Sequence, residues 1–142
     1  MSLSKIFDVA GSGMAAQSLR LNTVASNLAN AESVASSPES AYRAKEPLFA
    51  AVQRSLAGQA SSEQGATASV QVKGVTESDA TIPSRYEPGN PMADGNGYVY
   101  ASNVNPVDEL VNMISASRSY QNNVEVMNTA KQLMLKTLEL GK

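Results

Sequence analysis

The sequence predicts a mainly α-helical protein, in which two long terminal helices pack as an antiparallel, coiled-coil-like pair beside a small middle element that contains β-strands. Apolar residues repeat with heptad spacing over residues 3–31 and again over residues 105–142. The segment between these repeats is richer in Ser, Gly and Pro, which favour turns and connectors. We therefore expect three segments: an N-terminal helix in 1–32, a partly β middle element in 33–104 and a C-terminal helix in 105–142.

The first helix is predicted from Leu3 to about Ala31. One seam position carries Leu3, Ala10, Gln17, Val24 and Ala31, and the other carries Phe7, Met14, Leu21 and Leu28. Gly11 and Gly13 each weaken a helix by about 1 kcal/mol relative to Ala. Because isolated helices gain most of their stability from packing, this helix should form poorly alone.

The middle segment gives weaker signals. Two Ser-rich stretches indicate flexible connectors, at residues 33–38 and 58–65. Residues 42–56 are ambiguous between a strand and a short helix. Alternating patterns predict strands at 70–73 and 98–101, and residues 85–91 are rich in turn formers.

The last helix has a clear start signal. Asn105 suits the N-cap, Pro106 suits the first helical position, and Asp108 and Glu109 favour the positive end of the helix dipole. Its seam comprises Leu110, Met113, Ser117, Tyr120, Val124, Met127, Lys131, Met134 and Leu138.

Both helices carry few charges. Arg20 is the only charged residue between Gly11 and Ala31, and Arg118 is the only one between Leu110 and Val124. Solvated helices usually carry opposite charges four residues apart, so these faces suit close contact with other helices, although a chance shortage is the alternative. The asparagines at 22, 27 and 30 could be surface amides, could mark the helix end, or could bond between helices.

Composition narrows the function classes. Alanine contributes 20 of the 142 residues and Trp is absent, so the chain should complete its apolar burial against neighbours. Without His or Cys, the histidine base, the thiolate nucleophile and zinc–thiolate sites are excluded, and we expect neither cofactor nor metal. A net charge of −2 gives no electrostatic reason to expect nucleic-acid or direct lipid binding. We see no run of transmembrane length and no Sec-type signal.

Several motifs resemble a known family. Residues 6–14, 17–22 and 25–31 are similar to the N-terminal motif of flagellar rod, hook and hook-associated proteins. Residues 42–45, 86–94 and 112–128 resemble the proximal rod proteins of that family in particular. The resemblance covers nearly the whole chain, but residues 33–40 and 57–69 match no motif.

The resemblance implies a structural subunit of the proximal rod of the flagellar basal body, polymerising through its terminal helices into a torque-transmitting drive shaft. It implies export through the flagellar type III apparatus without signal cleavage, and assembly in the periplasm. The implied partners are copies of itself, other rod proteins, the export apparatus and the membrane-embedded ring at the rod base.

We predict that apolar seam residues form the subunit interface. They are Leu3, Phe7, Met14, Leu21, Val24, Leu28, Leu110, Met113, Tyr120, Val124, Met127, Met134 and Leu138.

Three alternatives remain. The first is another flagellar axial protein, and the second is a type III-secreted effector with coiled-coil arms. The third is a muralytic enzyme, which would need a pair of carboxylates flanking the scissile bond. Glu77 with Asp79, or Glu87 with Asp94, could be nominated, but both pairs lie in turn-like sequence without an apolar pocket to raise an acid's pKa.

Overall fold

The computed structural model describes residues 3–54 and 67–141 of the chain. Two long helices enclose a small strand-containing middle region in sequence, which confirms the predicted fold class. In chain order the elements are α1 (Leu3–Ala29), β1 (Val34–Ala35), β2 (Lys45–Arg54), β3 (Thr67–Glu77), β4 (Ser84–Tyr86), β5 (Tyr98–Ala101) and α2 (Pro106–Leu140).

The start of α2 is capped as the sequence predicts. Oδ1 of Asn105 accepts the backbone N–H of Val107 at 3.1 Å, and the carbonyl oxygen of Asn105 accepts the N–H of Glu109 at 3.1 Å. The side-chain amide of Asn105 also donates to Oδ2 of Asp108 at 2.8 Å. The bond to Val107 satisfies a backbone N–H that the first helical turn leaves without a partner, and the bond to Asp108 holds the capping side chain in place.

The end of α1 lies two residues before the predicted one. Nδ2 of Asn30 donates to the carbonyl oxygen of Ser26 at 2.8 Å, and the hydroxyl of Ser33 donates to the carbonyl oxygen of Asn30 at 2.7 Å. Each of these carbonyl oxygens also accepts a backbone N–H, that of Asn30 at 3.2 Å and that of Ser33 at 3.1 Å, so the side-chain bonds reinforce the turn in which α1 ends.

The strands form two sheets. One is three-stranded in the order β1-β5-β4, with both pairings antiparallel, and the other pairs β2 with β3. The strands expected at 70–73 and 98–101 are confirmed, and the ambiguous stretch at 42–56 contains β2.

Two expectations for the middle segment were wrong in part. Val34 and Ala35 of the expected connector pair with Ala101 and Tyr100, and Ser84–Tyr86, at the edge of the turn-rich stretch, pairs with Tyr98–Tyr100. In both places the local sequence has little strand propensity, and hydrogen bonds from β5 hold it as a strand. The connector expected at 58–65 lies outside the described residues.

The chain divides into two compact units. The first comprises Met1–Leu19, Leu48–Gly74 and Ala116–Lys142, and the second comprises Arg20–Pro47 and Val75–Ser115. Each unit contains part of both helices. The predicted segments 1–32, 33–104 and 105–142 describe order along the sequence rather than these compact units, and they stay a prediction.

The two units have different cores. In the second unit, Val99 is fully buried, together with Val24, Ala101 and Val104. In the described residues of the first unit, the buried side chains are all alanines, at positions 10, 16, 116 and 130. Alanine buries little apolar area, so the first unit gains less from the hydrophobic effect. In the described part of the chain, neither helix has a stretch both long and apolar enough to cross a membrane.

Candidate functional site

The helix contact in the second unit is organised around Asn27, whose side chain is 1% exposed. Its Nδ2 donates to the carbonyl oxygen of Lys45 at 2.9 Å and to Oε2 of Glu109 at 3.1 Å. Its Oδ1 accepts the N–H of Lys45 at 2.9 Å and the hydroxyl of Tyr42 at 3.1 Å. Both donors and both lone pairs of the amide are thus used, as burial requires.

A second polar contact joins the same helices. A guanidinium nitrogen of Arg20 donates to Oδ1 of Asn112 at 2.9 Å. Because Asn27 contacts Glu109 while Arg20 contacts Asn112, the two helices run antiparallel in this unit. The three asparagines that the sequence left open therefore differ. Asn27 bonds between helices of the same chain, Asn30 bonds at the helix end, and Asn22 is exposed.

In the first unit α2 comes close to α1 at Gly13. A Cβ atom at this position would lie 2.8 Å from Nδ2 of Asn123, inside van der Waals contact. Buried alanines on both helices accompany this approach. The glycine that weakens α1 as an isolated helix thus makes room for its partner, as small residues do at tight helix crossings.

One polar atom in this unit is left unpaired. Oε1 of Gln17 is buried and has no hydrogen-bond partner among the described residues. Gln17 is the polar member of the α1 seam. Since buried acceptors are usually satisfied, this position suits a donor from a neighbouring molecule or a water.

The surface of α2 in the second unit is unusually apolar. Val107, Leu110, Val111 and Ile114 are 50–66% exposed and lie at i, i+3, i+4 and i+7, on one side of the helix. We call these four residues the outer stripe. Exposed apolar patches on soluble proteins mark interaction sites more often than chance would give.

The first unit has an apolar surface of its own. Ile6 and one side of α2 line an open groove of about 450 Å³, with Val126, Ala130 and Leu133 as its apolar wall. Beyond the groove, the end of α2 exposes Leu135, Leu138 and Leu140. Burying these leucines against another surface would lower the free energy of the system.

The predicted interface residues fall into three groups. Val24 is buried within the subunit. Half-buried are Leu3, Phe7, Met14, Leu21, Leu28, Met113, Val124 and Met127. Exposed are Leu110, Tyr120, Met134 and Leu138. Which of them meets another subunit stays a prediction.

Sequence reasoning missed two features of this surface. It did not name Val107, Val111 or Ile114, although their spacing alone could have identified a second apolar side of α2. It also could not single out Asn27 from the other asparagines, because the partners of Asn27 lie 15–18 and 82 residues away in sequence.

The nominated carboxylates are held in structural contacts or exposed. Glu77 and Asp79 are exposed. Glu87 lies 3.9 Å from Arg85 and accepts the side-chain amide of Asn90 at 2.9 Å. The backbone N–H groups of Tyr98 and Asn96 lower the pKa of Asp94, which is the opposite of what a general acid needs. Within the described ranges, no group of acidic residues could hold a metal ion.

Comparisons with known proteins converge on one family. The family model described as flagella basal body rod protein matches residues 7–34, and the one described as flagellar basal body rod FlgEFG protein C-terminal matches residues 96–140. The chain is 54% identical over 142 residues to the flagellar basal-body rod protein FlgC of Salmonella typhimurium strain LT2, covering 99% of each. It is similarly 54% identical to FlgC of Escherichia coli O157:H7 and 51% identical to FlgC of Yersinia enterocolitica, again covering 99% of each chain.

Proposed function

The chain belongs to the FlgC family of flagellar basal-body rod proteins and is a structural rod subunit, and we propose that it polymerises through its two terminal helices. In this proposal the assembled rod is a shaft that carries torque outward. Apart from Val24, which is buried within the subunit, the predicted interface residues form the contacts between subunits, and we add Val107, Val111 and Ile114 of the outer stripe to them.

The observation that carries the proposal is the outer stripe. Four large apolar side chains on two adjacent helical turns are exposed to water, with no charge between Glu109 and Arg118 on that stretch of helix. Burying them against a neighbour contributes roughly 25 cal/mol per Å² of apolar area removed from water. A contact between two different surfaces of neighbouring subunits propagates into a polymer, whereas a twofold contact closes.

The test places one charge on the stripe and one beside it. Ile114→Asp adds a carboxylate to the stripe, whereas Ser115→Asp adds it to the next exposed residue of the same helix. Because both side chains are exposed in the subunit, neither change should unfold it. Ile114→Asp should abolish motility and the recovery of rods in basal bodies, while Ser115→Asp should leave both near wild type.

Normal rods with Ile114→Asp would show that the stripe is not an assembly surface. If both variants fail equally, the helix tolerates no charge on either side, and the stripe is not the specific contact.

The partners follow from the same proposal. The chain assembles with other rod components of the basal body. More specifically, we propose contact with the membrane-embedded ring at the rod base, and export by the flagellar type III apparatus into the periplasm without cleavage. Site-specific cross-linking in purified basal bodies would identify the neighbours. Mass spectrometry of the assembled subunit would show whether its N-terminal peptide survives intact.

We further propose that the protein catalyses no reaction. The lowered pKa of Asp94 and the ion pair of Glu87 support a structural role for both side chains. Peptidoglycan cleavage by the purified protein, lost on single substitution of Glu77, Asp79, Glu87 or Asp94 with folding unchanged, would overturn this. Absence of the chain from purified basal bodies would instead favour a secreted effector.

A further inference from the structure

The turn between β4 and β5 contains two dipeptides that are chemically labile in proteins, Asp94-Gly95 and Asn96-Gly97. In such a dipeptide, the backbone nitrogen of the glycine can attack Cγ of the preceding side chain. Glycine permits this attack best because it has no side chain to hinder the approach. Asn96 is exposed to solvent, so water can reach the product.

The structure engages the attacking nitrogen. The N–H of Gly97 donates to the carbonyl oxygen of Asp94 at 3.0 Å. Attack on Cγ of Asn96 requires this nitrogen to lose its proton and leave that hydrogen bond. The nearby carboxylate of Asp94 also disfavours a second negative charge on the nitrogen.

The carboxylate of Asp94 accepts hydrogen bonds from the backbone on both sides of the Asn96–Gly97 peptide bond. Its Oδ1 accepts the N–H of Asn96 at 2.8 Å and the N–H of Tyr98 at 2.9 Å, and its Oδ2 accepts the hydroxyl of Tyr100 at 3.3 Å. Bonds from two backbone donors to one charged oxygen are stronger than neutral ones. These bonds restrict the motion of the peptide group between Asn96 and Gly97, and ring closure would have to break at least the bond from the N–H of Gly97 to the carbonyl oxygen of Asp94.

Gly97 tightens this arrangement. Its φ of 83° is one that other residues rarely adopt, and a Cβ there would lie 2.9 Å from Cε2 of Tyr86. The turn thus needs the very glycine that makes Asn96 reactive.

We propose that Asn96 is a deamidation site whose reaction the Asp94 carboxylate suppresses in the folded subunit. When the turn is disordered, the nitrogen of Gly97 bonds to Cγ of Asn96 and the Cγ–Nδ2 bond breaks. Ammonia leaves with the proton of the Gly97 amide, and water then opens the five-membered imide to aspartate or isoaspartate. Isoaspartate inserts one carbon into the main chain, so the turn from Asp94 to Tyr98 cannot close again. The inference does not depend on the proposed assembly.

The experiment follows deamidation in the purified full-length chain at 37 °C in mildly alkaline buffer. Mass spectrometry of the peptide that contains Asn96 measures the conversion of amide to acid. The chain in urea should deamidate about tenfold faster than the native chain. Asp94→Ala should deamidate about fivefold faster than the native wild type, as the loss of such hydrogen bonds predicts. Asn96→Gln is the matched negative control, because its longer side chain closes the ring slowly.

Asp94→Ser keeps an acceptor oxygen and should return the rate toward wild type, which separates the hydrogen bonds from general unfolding. Amide exchange at Gly97 in the wild type needs no variant and should be slowed. Equal rates in urea and in native buffer, unprotected exchange at Gly97, or an unchanged rate in Asp94→Ala would each overturn the proposal.

Discussion

The side-chain amide of Asn27 donates to Oε2 of Glu109 at 3.1 Å, and this bond ties the last turns of α1 to the first turn of α2. The same amide pairs with both backbone groups of Lys45, as a neighbouring strand would. One buried residue therefore holds two helices and the start of β2 together.

Replacement of Asn27 should be costly. Asn27→Ala would leave the backbone groups of Lys45, the hydroxyl of Tyr42 and the carboxylate of Glu109 without this partner. Since each buried group left unsatisfied costs between 1 and 3 kcal/mol, we expect a loss of about 3 kcal/mol in the free energy of unfolding. Urea unfolding measures it, with Asn22→Ala on the exposed side of the same helix as control. Equal stability of the two variants would contradict the role assigned to Asn27.

Order along α1 in the free subunit should be uneven. The sequence predicts that this helix is poorly formed alone, but its last turns contain Thr23, Val24 and Asn27, all buried, whereas its first half buries only alanines. In the dilute monomer, amide exchange should therefore be slower in residues 20–29 than in residues 3–19. Strong, uniform protection of the whole helix at concentrations without association would show a self-sufficient bundle.

The two glycines of α1 should respond differently to the same substitution. Gly11→Ala meets nothing within 4 Å and should stabilise the helix by about 1 kcal/mol. Gly13→Ala should lose most of that gain, because its methyl group meets Nδ2 of Asn123. The opening free energy of residues 6–16, from amide exchange, measures both. In an Asn123→Ala background the difference between the two variants should disappear, and its persistence would place the obstacle elsewhere.

The turn after β4 should depend on pH. Hydrogen bonds from the N–H groups of Tyr98 and Asn96 lower the pKa of Asp94 below 3.8 in the folded state. The stability that the ionised carboxylate gives the turn is therefore fully present above pH 3.8, and it is lost as pH falls through the lower folded pKa. Burial and the charge of Asp94 raise the pKa of Tyr100 above 10.0 in the folded state. The stability linked to the neutral hydroxyl of Tyr100 is therefore lost as pH rises above 10. NMR shifts of the Tyr98 amide should follow the acid transition, and Asp94→Asn should remove it. A transition unchanged by Asp94→Asn would assign it to another group.

Charges in the predicted seams should block assembly. Leu28→Asp and Val124→Asp place a carboxylate at half-buried apolar positions, which costs several kcal/mol unless the contact opens. We expect both to abolish motility and rod completion while export persists, because a chain threaded through a channel need not be folded. Ser62→Asp, outside the described residues, is the control. Normal rods from both seam variants would exclude these seams as assembly surfaces.

Local sequence was sufficient for much of the molecule. Heptad spacing identified both helices, and the Asn105-Pro106 signal located the start of α2 at the residue where the structure has it. Motif resemblance indicated the flagellar rod, through residues 6–14, 17–22, 25–31, 42–45, 86–94 and 112–128. These features depend on neighbours within a few turns of the chain, which a sequence displays directly.

Only the tertiary structure decided the rest. Val34–Ala35 and Ser84–Tyr86 become strands because β5 lies between them, and neither stretch alternates strongly enough to announce it. Asn27 is buried because Lys45 and Glu109 lie against its side chain, whereas Asn22 on the same helix is exposed. The outer stripe is exposed because α1 packs against the opposite side of α2, through residues such as Asn112. Each outcome depends on contacts between residues far apart in sequence, and such contacts leave no local pattern.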